Sequence, residues 1–297
     1  MKIPYLGMFF SFMTERHRIY KKKSDGMSYP WTNNPILREY KFCNVYRELD
    51  AGTIWCREHI REPFAEHESL FFNIAAYRSV NAIGTWEDIY ASEEKATGIP
   101  FIASYDPDRV REAMTSRRSR GERIFTNAHM LTGLHCGDKI VQCTDYTFRV
   151  LWDKREELAP TLDDNLQSAF NKLLNAKVPA IGKFLAYEII TDLRHTRYLR
   201  HATDIHTWAS AGNGATRGIE RVLGIYKKGI SRSWDQAELT KIMKEILDAS
   251  RSILPEWMPY LEMRDIEHTL CEFDKYERAR TGEGTPRLHY VPKLEAK

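Results

Sequence analysis

The sequence predicts a mostly α-helical protein, and three observations carry that prediction. Apolar residues recur at helical spacing in several separate stretches. Asn34-Pro35 and Asp106-Pro107 stand where helices would begin. No stretch alternates apolar and polar side chains as a half-buried strand does. With 297 residues, 42% hydrophobic and 12% aromatic, the chain can close a sizeable core. It contains no internal repeat, no low-complexity tract and no sharp linker. We therefore expect an N-terminal extension over residues 1–35, then one helical domain over 36–297.

Residues 1–35 read as loop-rich and end in Tyr29-Pro30-Trp31-Thr32-Asn33-Asn34-Pro35. Asn34 can cap a helix and Pro35 can open it, because the first-turn amides want an acceptor and Pro has no amide to leave unpaired. Leu37, Tyr40, Cys43, Tyr46 and Leu49 continue at near-helical spacing. Another helix covers about 53–62. Residues 67–81 carry Leu70, Phe71, Phe72, Ile74, Ala75, Ala76, Tyr77 and Val80, apolar on several faces as in a central helix. Gly84 breaks it, and Thr85 or Trp86 starts a short successor. Residues 92–120 are polar and Arg-rich, a loop with one helix begun by Asp106-Pro107. Helices are expected over 123–132 and 145–157. The segment 163–176 aligns Leu166, Phe170, Leu173 and Leu174, and its partner runs from Lys183 to about Arg194. Leu239, Ile242, Met243, Ile246 and Leu247 stripe a helix over 238–250. Ile266, Leu270, Phe273 and Tyr276 stripe the last one, which ends near Gly282 before an irregular tail.

Net charge is +3 and the isoelectric point about 8.5, which permits nucleic-acid binding without requiring it. Basic residues cluster twice, at Arg16, Arg18, Lys21, Lys22 and Lys23, and at Arg109, Arg111, Arg117, Arg118, Arg120 and Arg123. A solvated surface explains either cluster equally well. No run of eighteen apolar residues exists, so no membrane span is expected. The apolar start, Met1 to Phe12, lacks the small-residue cleavage site of a secretory signal. Five cysteines, Cys43, Cys56, Cys136, Cys143 and Cys271, include no CxxC and read as reduced thiols in a cytoplasmic protein. No metal and no cofactor is expected.

The most informative stretch is Val178-Pro179-Ala180-Ile181-Gly182-Lys183-Phe184-Leu185-Ala186, followed by Thr203-Asp204-Ile205-His206. Gly182 can adopt backbone angles closed to other residues and lets an anion approach the amides of Gly182, Lys183 and Phe184. Those amides open a helix, where free N–H groups and the dipole favour a phosphate. Such a turn is also a common packing device between helices. Asp204 reads either as a catalytic carboxylate or as a helix cap.

These two stretches resemble the helix-hairpin-helix DNA glycosylase superfamily. Ala180 replaces the usual first glycine, and Phe184 stands where lyase-type members carry a nucleophilic lysine. The resemblance implies a glycosylase-like helical fold with the helix-hairpin-helix at about 163–195. It also implies monofunctional excision: base flipping, an oxocarbenium-like sugar stabilised by Asp204, and an abasic site left uncut. Only Cys271 follows the hairpin, so the four-cysteine iron–sulfur cluster of some members is not expected. For the flipped base, Tyr77, Arg78 and Asn81 on the central helix are pocket candidates, with Asn73 one turn before. Trp208, Asn213 and Arg217 are further candidates, the last two in the glycine-rich Gly212–Gly218 segment, read as a tight loop.

Further blocks point to a narrower group: Pro30-Trp31-Thr32, Tyr40 to Glu48, Ile189 to Arg194, Gly212 to Gly218, and Cys271 to Arg278. They are similar to the α-glutamyl/putrescinyl thymine pyrophosphorylase group, related to the helical domain of 5-hydroxymethyluracil DNA kinases. That likeness implies double-stranded DNA carrying modified pyrimidines as partner, in a bacterial or phage-infected cell. Three functions stay open. The first is a glycosylase excising a bulky base such as glucosylated hydroxymethylcytosine, with a role in anti-phage defence. The second is a transferase that displaces pyrophosphate from pyrophosphorylated 5-hydroxymethyluracil in DNA to attach an amine, with Arg78, Arg194 and Arg217 available for the pyrophosphate. The third is a non-catalytic DNA-binding helical protein.

Overall fold

The computed structural model describes residues 3–126, 137–230 and 232–292. In chain order the helices are α1 (Leu6–Ser24), α2 (Pro35–Glu39), α3 (Ala51–Cys56), α4 (Leu70–Val80), α5 (Ile83–Thr97), α6 (Pro107–Ser119) and α7 (Lys139–Val141). They continue with α8 (Arg149–Asp153), α9 (Arg155–Leu158), α10 (Leu166–Asn175), α11 (Lys183–Leu193), α12 (Asn213–Val222), α13 (Gln236–Ile253) and α14 (Met263–Arg280). Among the described residues, strand pairing is limited to one isolated bridge between Tyr40 and His289, so the fold is mostly α. No helix of the described residues is long and apolar enough to cross a membrane.

The chain divides into two compact units, where the sequence led us to expect one domain behind an extension. One unit joins Met1–Asp50 to Ile205–Lys297, and the other is Ala51–Asp204.

In the first unit, residues 1–35 are not loop-rich, because α1 fills most of them. Phe9, Phe12 and Met13 are buried on α1, and the Phe9 and Phe12 rings lie 5.5 and 5.7 Å from Phe273 of α14. Lys21, Lys22 and Lys23 occupy its last turn, where the helix dipole favours cations. α2 starts as predicted: the Asn34 side chain accepts from the Ile36 and Leu37 amides at 3.1 and 3.2 Å. It stops at Glu39 instead of running on to Leu49. Tertiary bonds claim the groups that follow. Lys41 N donates to Leu288 O at 2.9 Å, and Tyr290 N donates to Glu39 O at 2.8 Å. Arg16 donates to the carbonyls of Phe42 and Cys43. The Gly212–Gly218 segment is not a loop, since α12 begins at Asn213. A β-carbon on Gly218 would sit 2.2 Å from Leu270 O, and one on Gly214 would sit 2.3 Å from Cys271 Sγ. The glycines let two helices pack closer than side chains would allow.

In the second unit, α4 is the centre, with every residue from Leu70 to Val80 buried. It ends at Asn81, whose left-handed backbone (φ 50°, ψ 34°) turns the chain. Gly84 is therefore not the break and lies inside α5, a helix of 15 residues. Asp106 caps α6 by accepting from the Asp108 and Arg109 amides. The helix expected over 145–157 is present as a wide turn, Gln142–Phe148, followed by α8 and α9. Of the helix expected over 123–132, residues 123–126 are not helical. Residues 127–132, like Cys136, lie outside the described residues.

α10 and α11 form the predicted pair, joined by residues 176–182. Asn165 and Ser168 cap α10 reciprocally. In the connection it is Lys177 (φ 50°) and Ala180 (φ 63°) that turn left-handed. Gly182 is extended (φ −93°, ψ −173°), a geometry open to any residue, which corrects the expectation that its backbone freedom is needed. Ala180→Gly should therefore raise the unfolding free energy by about 0.5–1 kcal/mol, the left-handed strain relieved minus the extra glycine entropy. A urea midpoint that falls instead would show that the Ala180 methyl packs more than it strains.

Candidate nucleic-acid interface

Val178 and Ile181 are buried, and Thr147 Oγ1 donates to Pro179 O at 3.0 Å, so the α10–α11 connection is held from beneath. Its far side is open. Gly182, Lys183 and Phe184 are all exposed, Phe184 by 53%. A β-carbon on Gly182 would meet nothing within 4 Å. The first turn of α11 carries no acidic residue. A cation, an apolar ring and a positive helix end thus stand together on an open surface, a combination suited to one backbone phosphate and its sugar.

Asp204 sits at the opposite end of α10. Its Oδ1 accepts from Leu166 N at 2.8 Å and its Oδ2 from Gln167 N at 2.9 Å. α10 has 10 residues, so the hairpin lies about 15 Å away along the helix. Only 8% of Asp204 is exposed. The geometry is that of a carboxylate anchoring a helix start, supported by the dipole. Asp204→Ala should cost about 1–2 kcal/mol, read by urea unfolding. An unchanged midpoint would show that these two bonds contribute nothing net.

Tyr77 and Arg78 are buried in the core, and Asn81 is half-buried at the end of α4. Tyr77 is fully buried and donates from its hydroxyl to Gly52 O at 2.7 Å. Asn73 donates to Ser69 O and Ile102 O and accepts from the Tyr90 hydroxyl. Arg78, 1% exposed, grips Asp192 through Nε and Nη2, and also donates to Thr53 Oγ1 and Asn81 Oδ1. Arg61 Nη1 stands 3.7 Å from the same carboxylate. Burial disfavours the Arg78 charge, but Asp192 more than offsets it and holds the guanidinium above its ordinary value. The polar stripe is a satisfied core network.

Trp208, Asn213 and Arg217 belong to the other unit. Trp208 is half-buried and Asn213 is exposed at the start of α12. One turn on, Arg217 Nε lies 2.9 Å from Asp274 Oδ2. Arg221 pairs with the same carboxylate at 2.8 Å, and Arg278 at 3.3 Å. Arg221 also reaches Glu283 at 2.8 Å. Asp274 is fully buried, while the Arg217 and Arg278 side chains keep 40% and 36% exposure. Three guanidiniums on two carboxylates leave one positive charge in excess, facing water. Arg221, Arg278 and Asp274 were missed from the sequence, although the four-residue spacings 213–217–221 and 274–278 were its signal.

Two other features count against alternatives. The Arg109–Arg123 cluster is largely neutralised: Arg109 pairs with Glu93 at 2.8 Å, Arg117 with Asp88 at 3.0 Å, Arg118 with Asp138 at 2.7 Å and Arg120 with Asp88 at 2.6 Å. In the first unit a cavity of about 600 Å³ is walled by Phe10, Phe12, Leu37 and Tyr276. Glu15 there pairs with Thr32 and Arg18, and Asn34 with Tyr276.

Known proteins set the context. A family model described as "5-hmdU DNA kinase, helical domain" matches residues 4–285. A 5-hmdU DNA kinase of Bacillus phage SP10 is 24% identical over 306 residues, covering 91% of this chain and 44% of that protein. The chain thus spans less than half the length of that relative. No solved structure matches. The reading as a glycosylase falls here, and with it the hydrolase, abasic-site and anti-phage expectations. The relative is by name a kinase, an enzyme of group transfer and not of N-glycosidic hydrolysis.

Proposed function

Because the chain belongs to the family of the 5-hmdU DNA kinase helical domain, we propose that it acts in group transfer on 5-hydroxymethyl-substituted pyrimidines in DNA. The family match over nearly the whole chain carries this reading. The open α10–α11 hairpin supports it by offering a grip on the DNA backbone. The Arg217–Arg221–Arg278 row supports a phosphorylated group at the reacting base. Displacement of pyrophosphate by an amine needs such cations: a C–N bond forms at the base methylene, the C–O bond breaks, and pyrophosphate leaves with the electron pair. Arg217 and Arg278 would neutralise that leaving group.

The test is nucleoside mass spectrometry after incubating the protein with double-stranded DNA containing 5-hydroxymethyluracil or its pyrophosphate, with ATP and with amines. A mass gain on an intact nucleoside is the expected result. Binding that does not distinguish this DNA from thymine DNA, with no mass change, overturns the proposal and leaves a general DNA-binding module. Lys183→Glu should weaken binding to all sequences alike and reduce the salt slope by about 1 or more.

A further inference from the structure

Three side chains from separate stretches of the first unit converge. Cys43 Sγ, an Asp50 carboxylate oxygen and a His268 ring nitrogen lie within 4.8 Å of one another, and all three residues are half-buried. Points so spaced surround a centre no more than about 2.8 Å from each, so small side-chain rotations reach the 2.0–2.3 Å of zinc bonds. From this convergence we infer a binding site for one zinc-type divalent ion, with Cys43, Asp50 and His268 as ligands.

The surroundings hold two of the three ligand-bearing residues, Cys43 and Asp50, in place. Arg16 donates to Cys43 O at 2.9 Å and to Asn44 Oδ1 at 2.7 Å. The Cys43 amide donates to Glu272 at 2.9 Å. The Asp50 carboxylate accepts from Asn44 N at 2.9 Å and from Arg47 at 2.7 Å. Such outer hydrogen bonds orient ligands in metal sites. This also accounts for the irregular course of residues 41–46, where the periodicity predicted helix. Sulfur, nitrogen and oxygen together select a zinc-type ion over magnesium or calcium. An ion takes Cys43 as its thiolate, so loading the site releases a proton. A divalent ion, a thiolate, a carboxylate and a neutral imidazole sum to zero charge. That balance suits a half-buried site beside Arg16, Arg47 and Lys275. Three protein ligands leave a fourth position, as in zinc sites that hold water or a substrate oxygen.

The full chain, stripped with a chelator, is titrated with zinc chloride and its metal content measured after gel filtration. One retained equivalent is expected. Cys43→Ser and His268→Ala should raise the dissociation constant at least roughly tenfold, while Cys271→Ser should not. His268→Cys should restore retention, separating ligation from folding, which circular dichroism checks for each variant. Cobalt should give a thiolate charge-transfer band that Cys43→Ser abolishes. Failure of the wild-type chain to retain zinc, or full retention by Cys43→Ser, overturns the site. The outcome is independent of the group-transfer proposal, since the readout is metal content and not turnover.

Discussion

Asp192→Asn is expected to lower the unfolding free energy of the Ala51–Asp204 unit by about 3–5 kcal/mol. Asparagine keeps the shape and removes only the charge. Asp192 has no exposed surface, and it faces Arg78 and Arg61, 1% and 3% exposed. Two buried guanidiniums would lose their shared counter-charge, and no solvent is close enough to replace it. Urea unfolding, followed by hydrogen exchange of the α4 amides, gives the number. A loss below about 1 kcal/mol would mean that the cations are stabilised by other means and that Asp192 is no keystone.

Gly218→Ala should cost about 3 kcal/mol, the upper end of overpacking penalties, by forcing α12 away from α14. The added carbon would stand 2.2 Å from Leu270 O, 2.7 Å from Leu270 C and 3.0 Å from Leu270 Cβ. Two of these are backbone atoms in the middle of a helix, so no side-chain rotation relieves them. The displaced helix carries Arg217 and Arg221, so any phosphate affinity of the arginine row should fall with stability. Gly7→Ala is the matched control: it meets nothing within 4 Å and lies in α1, where alanine favours helix by about 1 kcal/mol. If both substitutions behave alike, close packing of α12 on α14 is not what Gly218 is for.

Helices whose signals are local were legible. Asp106 and Asn34 announce α6 and α2 because a cap needs only its own first turn. The stripes of α10, α13 and α14 follow from one buried face each. Glycine density hid α12, because Gly214 and Gly218 answer to α14, far away in sequence, and not to local propensity. Phe9 and Met13 signalled α1 at one-turn spacing, but the lysine-rich end made the segment read as an extension. The Arg78–Asp192 pair joins positions 114 residues apart, which no periodicity encodes. At the hairpin, the exposed tip was legible from Gly182-Lys183-Phe184. The angle that makes the turn belongs to Ala180, where the pattern called for glycine. Asp204 misled most. A carboxylate at the right distance after a hairpin has the same sequence signature whether it faces a sugar or two amides of Leu166 and Gln167.

One unit is interrupted: residues 51–204 are spelled out between its two halves. During synthesis the ribosome therefore releases α1 long before α14, which begins at Met263 and supplies the Phe273 ring that Phe9 and Phe12 pack against. At 5–20 residues per second the wait is on the order of tens of seconds. Throughout it Phe9, Phe10, Phe12 and Met13 have no partner from α14, while the whole compact 51–204 unit is synthesised. A nascent chain of this design should fold inside-out along its own sequence, the inserted unit first, and should engage holding chaperones through the α1 aromatic residues.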